Sequence, residues 1–147
     1  MCIRDRSVDE TKELIEALQS KYPQIIGPSA DDICYATQNR QDAVKQLSLE
    51  CEIVLVIGSK TSSNSNRLKE LAEKCGTKSF LIDDKTDINI EELKHASSVG
   101  ITAGASAPEE IVQEVISFLF PLGYKTVRNL SENNESMTFK LPKELAD

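Results

Sequence analysis

Two segments of the chain concentrate small polar side chains that could bind an anion. Residues 58–66 follow an apolar run, and residues 102–107 follow the third predicted strand. Serine, threonine and asparagine supply hydrogen-bond donors without bulk. Each segment also leads into a predicted helix, whose first N–H groups lack partners and carry a partial positive charge. The pattern predicts a phosphate or diphosphate site.

The elements around these segments predict an α/β fold with a parallel sheet. Ile53–Ile57 is apolar without alternation, which is typical of a strand buried on both faces. Strands that alternate with helices indicate parallel pairing, and ligands then bind at the carboxyl ends of the strands. The other predicted strands are Ser79–Ile82 and Ser98–Thr102, and helices are predicted over residues 8–22, 37–49, 90–95 and 108–120, with one more ending at Gly76. Beyond Gly123, residues 124–129 and 136–140 predict two β segments of a tail.

Single residues in both segments have an alternative role as helix N-caps. Ser62, Ser65 or Asn66 could cap the helix after the first strand, and Ser106 with Glu109 matches the S-x-x-E capping box. Considered singly, each of these residues is better explained as a helix cap. Two such polar loops at one sheet edge are better explained as a ligand site. Neither loop matches a Walker or G-x-G-x-x-G motif, so a nucleotide is not indicated.

The cysteines give no metal-binding spacing. Cys2, Cys34, Cys51 and Cys75 match neither CxxC nor a zinc finger. Cys34 directly precedes a predicted helix, whose N-terminus would stabilise a thiolate; from the residues alone, its role stays open. Cys51 and Cys75 are interpreted as core thiols. The single histidine, His95, is expected at the surface.

The composition argues against two classes of partner. The net charge is −7, and no basic stripe is present, so we expect no nucleic-acid partner. No apolar run is long enough to span a bilayer, and the N-terminus has no apolar signal segment, so we expect no membrane partner and a cytoplasmic location.

Five sequence blocks resemble the 4-hydroxy-3-methylbut-2-enyl diphosphate reductase family, also called IspH or LytB. The similarity runs in order from about Ser7 to Leu145. The blocks are Asp-Asp-Ile-Cys-Tyr-Ala-Thr (31–37), Asn-Arg-Gln (39–41), Val-Ile-Gly-Ser-Lys (56–60), Ser-Ser-Asn-Ser-Asn-Arg-Leu (62–68) and Thr-Ala-Gly-Ala-Ser-Ala-Pro (102–108).

The resemblance implies a reductase of the methylerythritol phosphate route to isoprenoids. The family removes the allylic hydroxyl of its substrate with two electrons and two protons, giving isopentenyl and dimethylallyl diphosphates. It uses a [4Fe–4S] cluster held by three cysteines and an electron donor such as ferredoxin or flavodoxin. Cys34 corresponds to the third cluster ligand, and Thr37 is a candidate for lining the cavity. The positions that correspond to diphosphate ligands are Ser62, Ser63, Asn64 and Ser106.

The resemblance also implies a domain organisation. Residues 1–6 depart from the family and are interpreted as foreign to the gene. Residues 7–30 correspond to the end of the second α/β domain and a linker, residues 31–122 to the third α/β domain, and residues 123–147 to a C-terminal tail. The family is considerably longer, so we expect a fragment that lacks the N-terminal half.

The missing half would carry the other two cluster cysteines and the proton donor. We therefore assign no catalytic residue to this chain and expect it to be inactive alone. One thiolate cannot hold a cubane cluster. The alternative is a non-redox module that binds a small anion or a phosphosugar. A third hypothesis is a structural piece that complements a separate N-terminal chain.

Overall fold

The fold is built on a parallel three-stranded sheet with the order β2-β1-β3. The computed structural model describes residues 8–26 and 35–130. The strands are β1 (Ile53–Ile57), β2 (Lys78–Ile82) and β3 (Val99–Ala103). All three lie within one residue of their predicted bounds, and the parallel pairing confirms the predicted α/β class.

Five α-helices accompany these strands in the described part of the chain. They are α1 (Val8–Lys21), α2 (Tyr35–Glu50), α3 (Ser63–Lys74), α4 (Ile90–Leu93) and α5 (Glu109–Leu119). Short 3₁₀ helices cover Lys85–Asp87 and Phe120–Leu122. Gly76 follows the end of α3 with a φ of 88°, as predicted for the left-handed residue that closes a helix. Among the described residues, no helix is long and apolar enough to cross a membrane.

The sheet is buried on both faces, which explains the unbroken apolarity of β1. On one face, Leu55 and Ile57 pack with Val115 and Leu119 of α5. On the other face, Val54 and Val56 pack with Val44 of α2 and with Leu68, Leu71 and Ala72 of α3. Because all five β1 residues are buried, this strand is the central element of both cores.

α1 contacts the α/β unit near its first residues and leaves an apolar face uncovered. The Val8 N–H donates to Gln41 Oε1 at 3.0 Å, and Asp9 pairs with Lys45 at 2.8 Å. Further along the helix, apolar side chains on one face are exposed among the described residues: Leu14 is 52% and Tyr22 54% exposed. The helix is therefore correctly predicted, but Leu14, Leu18 and Tyr22 on its apolar face are exposed within the described chain.

Two predictions for the C-terminal half are wrong. α5 begins at Glu109, with Pro108 as its N-cap and no side-chain capping bond, so Ser106 and Glu109 form no capping box. The predicted β segment over residues 124–129 is not a strand, because it pairs with no strand in the described chain. The β segment at 136–140 lies outside the described residues.

The hydroxyl of Tyr124 connects the segment after α5 to the end of α4. Its hydroxyl lies 2.8 Å from both Leu93 O and Ala96 O, at the end of α4. Burial and the nearby Glu52 carboxylate raise the pKa of Tyr124, so the phenol stays protonated and donates. One hydroxyl thus joins two segments that are distant in sequence.

Removing this hydroxyl should destabilise the domain. We expect Tyr124→Phe to lower the free energy of unfolding by about 1 kcal/mol, because the two carbonyl oxygens lose a buried donor. Urea unfolding followed by circular dichroism measures the change. The matched control is Tyr22→Phe, since Tyr22 is more than half exposed. Equal effects of the two variants would contradict the assignment.

Candidate functional site

The two polar loops begin side by side at the carboxyl edge of the sheet. Ile57 at the end of β1 pairs in register with Ala103 at the end of β3. The next residue, Gly104, donates its N–H to Ile57 O at 2.8 Å. Gly58 similarly donates to Ile82 O at 2.9 Å. The prediction that both loops share one edge is confirmed, and a backbone hydrogen bond ties Gly58 and Gly104 each to the last residue of a neighbouring strand.

Ser62 is the N-cap of α3. Its Oγ accepts from the Ser65 N–H at 3.3 Å, so the capping alternative is confirmed for Ser62 and is wrong for Ser65 and Asn66. Asn66 instead fixes the loop, because its Nδ2 donates to Lys60 O at 2.8 Å and to Ser62 O at 2.9 Å. The loop therefore has a defined shape before any ligand is considered.

Asn64 carries a buried donor without a partner. Its Nδ2 has no hydrogen bond among the described residues. Burying an unpaired polar group costs about 1–3 kcal/mol, so such a group at a polar loop indicates a ligand position. Ser62, Ser63 and Asn64 occupy the N-cap and the first two residues of α3. Within them, Ser63 is exposed and the other two are partly buried.

Ser65 joins the two loops by close packing. Its side chain is completely buried. A Cβ added at Gly58 or at Gly104 would lie 2.3 Å from Ser65 Oγ. The backbones of both loops therefore approach Ser65 so closely that only glycine fits at either position. This role was missed at the sequence level, where Ser65 was considered only as a cap; the one signal was a glycine directly after each of the two strands.

The N-termini of α3 and α5 differ in charge. The first turn of α3 contains no acidic residue, whereas Glu109 and Glu110 occupy the first turn of α5. The positive end of the α5 dipole already has carboxylates beside it, and that of α3 does not. An anion at this edge is therefore favoured at α3. Ser106 lies in the turn from Gly104 to Ala107, where the Ala107 N–H donates to Gly104 O; its side chain is exposed.

Thr37 is buried in the first turn of α2. α2 ends at Glu50 and β1 begins at Ile53, so α2 returns along the sheet antiparallel to β1. Its first turn, with Thr37, therefore lies toward the carboxyl edge that carries both loops. Cys34 directly precedes α2 in sequence but lies outside the described residues.

The described thiols do not form a metal site. Cys51 is partly buried, and burial raises the pKa of its thiol. Cys75 is exposed, so its prediction as a core thiol is wrong: α3 ends at Lys74, and Cys75 follows the turns that pack on the sheet. No group of three His, Cys, Asp or Glu side chains suited to a metal ion occurs in the described ranges. His95 is exposed, as predicted.

Comparisons with known proteins agree on one family. The family model described as LytB protein matches residues 5–120. The chain belongs to the LytB protein family.

Two reductases similar to this chain are longer than it. A 4-hydroxy-3-methylbut-2-enyl diphosphate reductase of Saccharophagus degradans is 55% identical over 139 residues, which are 95% of this chain and 45% of the relative. The protein of that name from Escherichia coli O1:K1 is 54% identical, over 95% of this chain and 44% of its own length. The chain thus spans somewhat less than half the length of these relatives.

Solved structures give the same result. The E-1-hydroxy-2-methyl-but-2-enyl-4-diphosphate reductase from Plasmodium falciparum superposes with a TM-score of 0.84 at 29% identity, covering 96% of this chain and 45% of the other. A second structure, described as the terminal enzyme of the non-mevalonate pathway, gives a TM-score of 0.58 at 28% identity, over 80% and 41%. The LytB match includes both polar loops and α2.

Because Ser65 is closely packed, we expect a larger residue at Gly104 to destabilise the domain. Gly104→Ala should lower the free energy of unfolding by about 1–3 kcal/mol, because its Cβ would overlap Ser65 Oγ. In the Ser65→Ala background the same change should cost much less, since the next nearest atoms, Ser65 Cβ and Ile57 O, are 3.5 and 3.6 Å away. Urea unfolding of the unaltered chain, the two single variants and the double variant measures this coupling. Additive losses would contradict the contact.

Proposed function

We propose that this chain is part of a 4-hydroxy-3-methylbut-2-enyl diphosphate reductase, an oxidoreductase of isoprenoid biosynthesis, and that it binds the diphosphate of the substrate. The unpartnered Nδ2 of Asn64 is the observation that carries the proposal. Asn64 is the second residue of α3, and the first turn of this helix has no acidic residue. The names of the relatives and their identity of 54–55% support the assignment.

The proposed ligands are Ser62, Ser63, Asn64 and Ser106. An ionised diphosphate accepts hydrogen bonds and donates almost none, so a site built from hydroxyl, amide and helix N–H donors fits it. Ser62 and Ser63 belong to the positive end of α3, and the exposed Ser106 extends from the neighbouring loop. In this proposal Thr37 lines the cavity from the first turn of α2.

The [4Fe–4S] cluster implied by the family does not fit the thiols of this chain alone. Cys51 follows the last turn of α2 and Cys75 the last turn of α3, away from the first turns that adjoin the polar loops. Cys34 is the proposed ligand, and one thiolate is insufficient for a cubane. The remaining ligands and the proton donor are assigned to the missing N-terminal half, and the electrons to a donor such as ferredoxin or flavodoxin. We propose a cytoplasmic location.

A non-redox anion-binding module is the second candidate function. The lack of a three-residue metal group among residues 8–26 and 35–130 favours it, whereas the family relationship favours the reductase. The two functions differ in what happens when the missing half is supplied. A reductase part gains a cluster and activity, whereas an anion-binding module gains neither.

The test compares the chain alone with a fusion to the N-terminal portion of the Saccharophagus relative, both reconstituted anaerobically with iron and sulfide. We expect the chain alone to be colourless and inactive and the fusion to be brown and active. In the fusion, Asn64→Ala should raise KM about tenfold or more, because a hydrogen bond to a charged group is lost.

The matched control is Asn89→Ala. Like Asn64, Asn89 lies at the start of a helix, where it caps α4 by accepting from the Glu91 N–H. It does not belong to either polar loop. It should leave KM unchanged. A stoichiometric cluster on the chain alone would contradict the fragment proposal. An unchanged KM in Asn64→Ala would contradict the diphosphate site while leaving the family assignment intact.

A further inference from the structure

The hydroxyl of Ser62 has both of its acceptor positions occupied. Its Oγ accepts from the Ser65 N–H at 3.3 Å and from the Ser65 hydroxyl at 3.2 Å. A serine oxygen has two lone pairs and one hydrogen. With both lone pairs engaged, only the hydrogen of Ser62 remains for another partner. Ser62 can therefore donate to a ligand but cannot readily accept from one.

Ser65 cannot turn away from this arrangement without moving the backbone. Its side chain has no exposed surface. The Cα positions of Gly58 and Gly104 lie directly against its Oγ, so that a Cβ on either would come within 2.3 Å. The only hydrogen bond of the Ser65 hydroxyl among the described residues is the one to Ser62. Packing thus fixes the direction in which Ser65 donates.

We propose that Ser65 is a positioning residue that commits the Ser62 hydroxyl to donating, and thereby makes the sheet edge selective for ligands that only accept hydrogen bonds. The ligand class is an ionised phosphate or diphosphate group. This inference rests on the proposed function, since Ser62 is one of its diphosphate ligands. Ser65 itself is too deeply buried to contact the ligand.

A double-mutant cycle on the full 147-residue chain tests the inference. Inorganic diphosphate is titrated into the unaltered chain, Ser62→Ala, Ser65→Ala and the double variant, and binding is followed by NMR shifts of backbone amides. Ser117→Ala is the control, because that hydroxyl donates to Gln113 O on the exposed side of α5. Thermal unfolding of each variant is recorded separately.

We expect Ser62→Ala to weaken binding roughly tenfold and Ser65→Ala roughly three- to tenfold, as one charge-assisted hydrogen bond is lost or weakened. Because Ser65 acts through Ser62, the double variant should bind within about a factor of two of Ser62→Ala alone. Ser117→Ala should bind like the unaltered chain. If Ser65→Ala does not fold, Ser65→Cys retains the buried side chain with a weak donor, and it should show the same coupling to Ser62.

Two outcomes would overturn the inference and leave the proposed function standing. One is a Ser65 effect of the same size with and without Ser62, which would show a purely structural role. The other is no effect of Ser65→Ala on binding. If the unaltered chain does not bind diphosphate at all, the diphosphate site is wrong and the inference fails with it.

Discussion

The parallel register between β1 and β3 is the constraint on which the candidate site depends. It places Ile57 beside Ala103, and the Gly104 N–H then continues the pairing by donating to Ile57 O. Two loops that are distant in sequence therefore begin side by side at one edge of the sheet. A slip of one residue would turn the side chains of β1 to the opposite face, and both cores would be lost.

Close packing fixes the two polar loops against each other at the sheet edge that this register creates. Ser65, at the start of α3, fits against the backbone of Gly58 and Gly104, so helix and loops are fixed relative to each other. The same residue supplies both donors to Ser62. Interiors that are close-packed tolerate little displacement, and the position of Ser62 at this edge is therefore determined by the sheet rather than by the ligand. A preformed set of donors loses less entropy on binding than a mobile one.

The sequence was sufficient where local chemistry decides the structure. β1 was predicted to the residue because five consecutive apolar residues suit a strand buried on both faces, and Gly76 because a left-handed residue at a helix end favours glycine. The prediction failed where distant contacts decide. The sequence spacing places Cys75 on the apolar face of the helix with Leu68 and Leu71, but α3 ends one residue before it. Ser106 matches a capping box, but it lies in a turn closed by the hydrogen bond from the Ala107 N–H to Gly104 O. α5 begins after this turn, at Glu109. Serine is a common N-cap residue, so the sequence suggested a cap at Ser65. Its packing depends on the position of Gly104 after β3, which the sequence does not show.

The groups of the proposed anion site lie together in the described chain, whereas those of the proposed redox site do not, and this difference has a physical reason. The proposed diphosphate ligands lie at one sheet edge, and a helix N-terminus with nearby hydroxyls is a common anion site. A cubane cluster needs several thiolates that converge from separate segments, and the described thiols follow the C-terminal ends of two helices. The exposed apolar face of α1, with Leu14 and Tyr22 each more than half exposed, is consistent with a chain that spans less than half the length of its relatives. In the proposed function, recognition of the diphosphate is therefore local to this α/β unit, whereas the redox chemistry depends on groups from other segments.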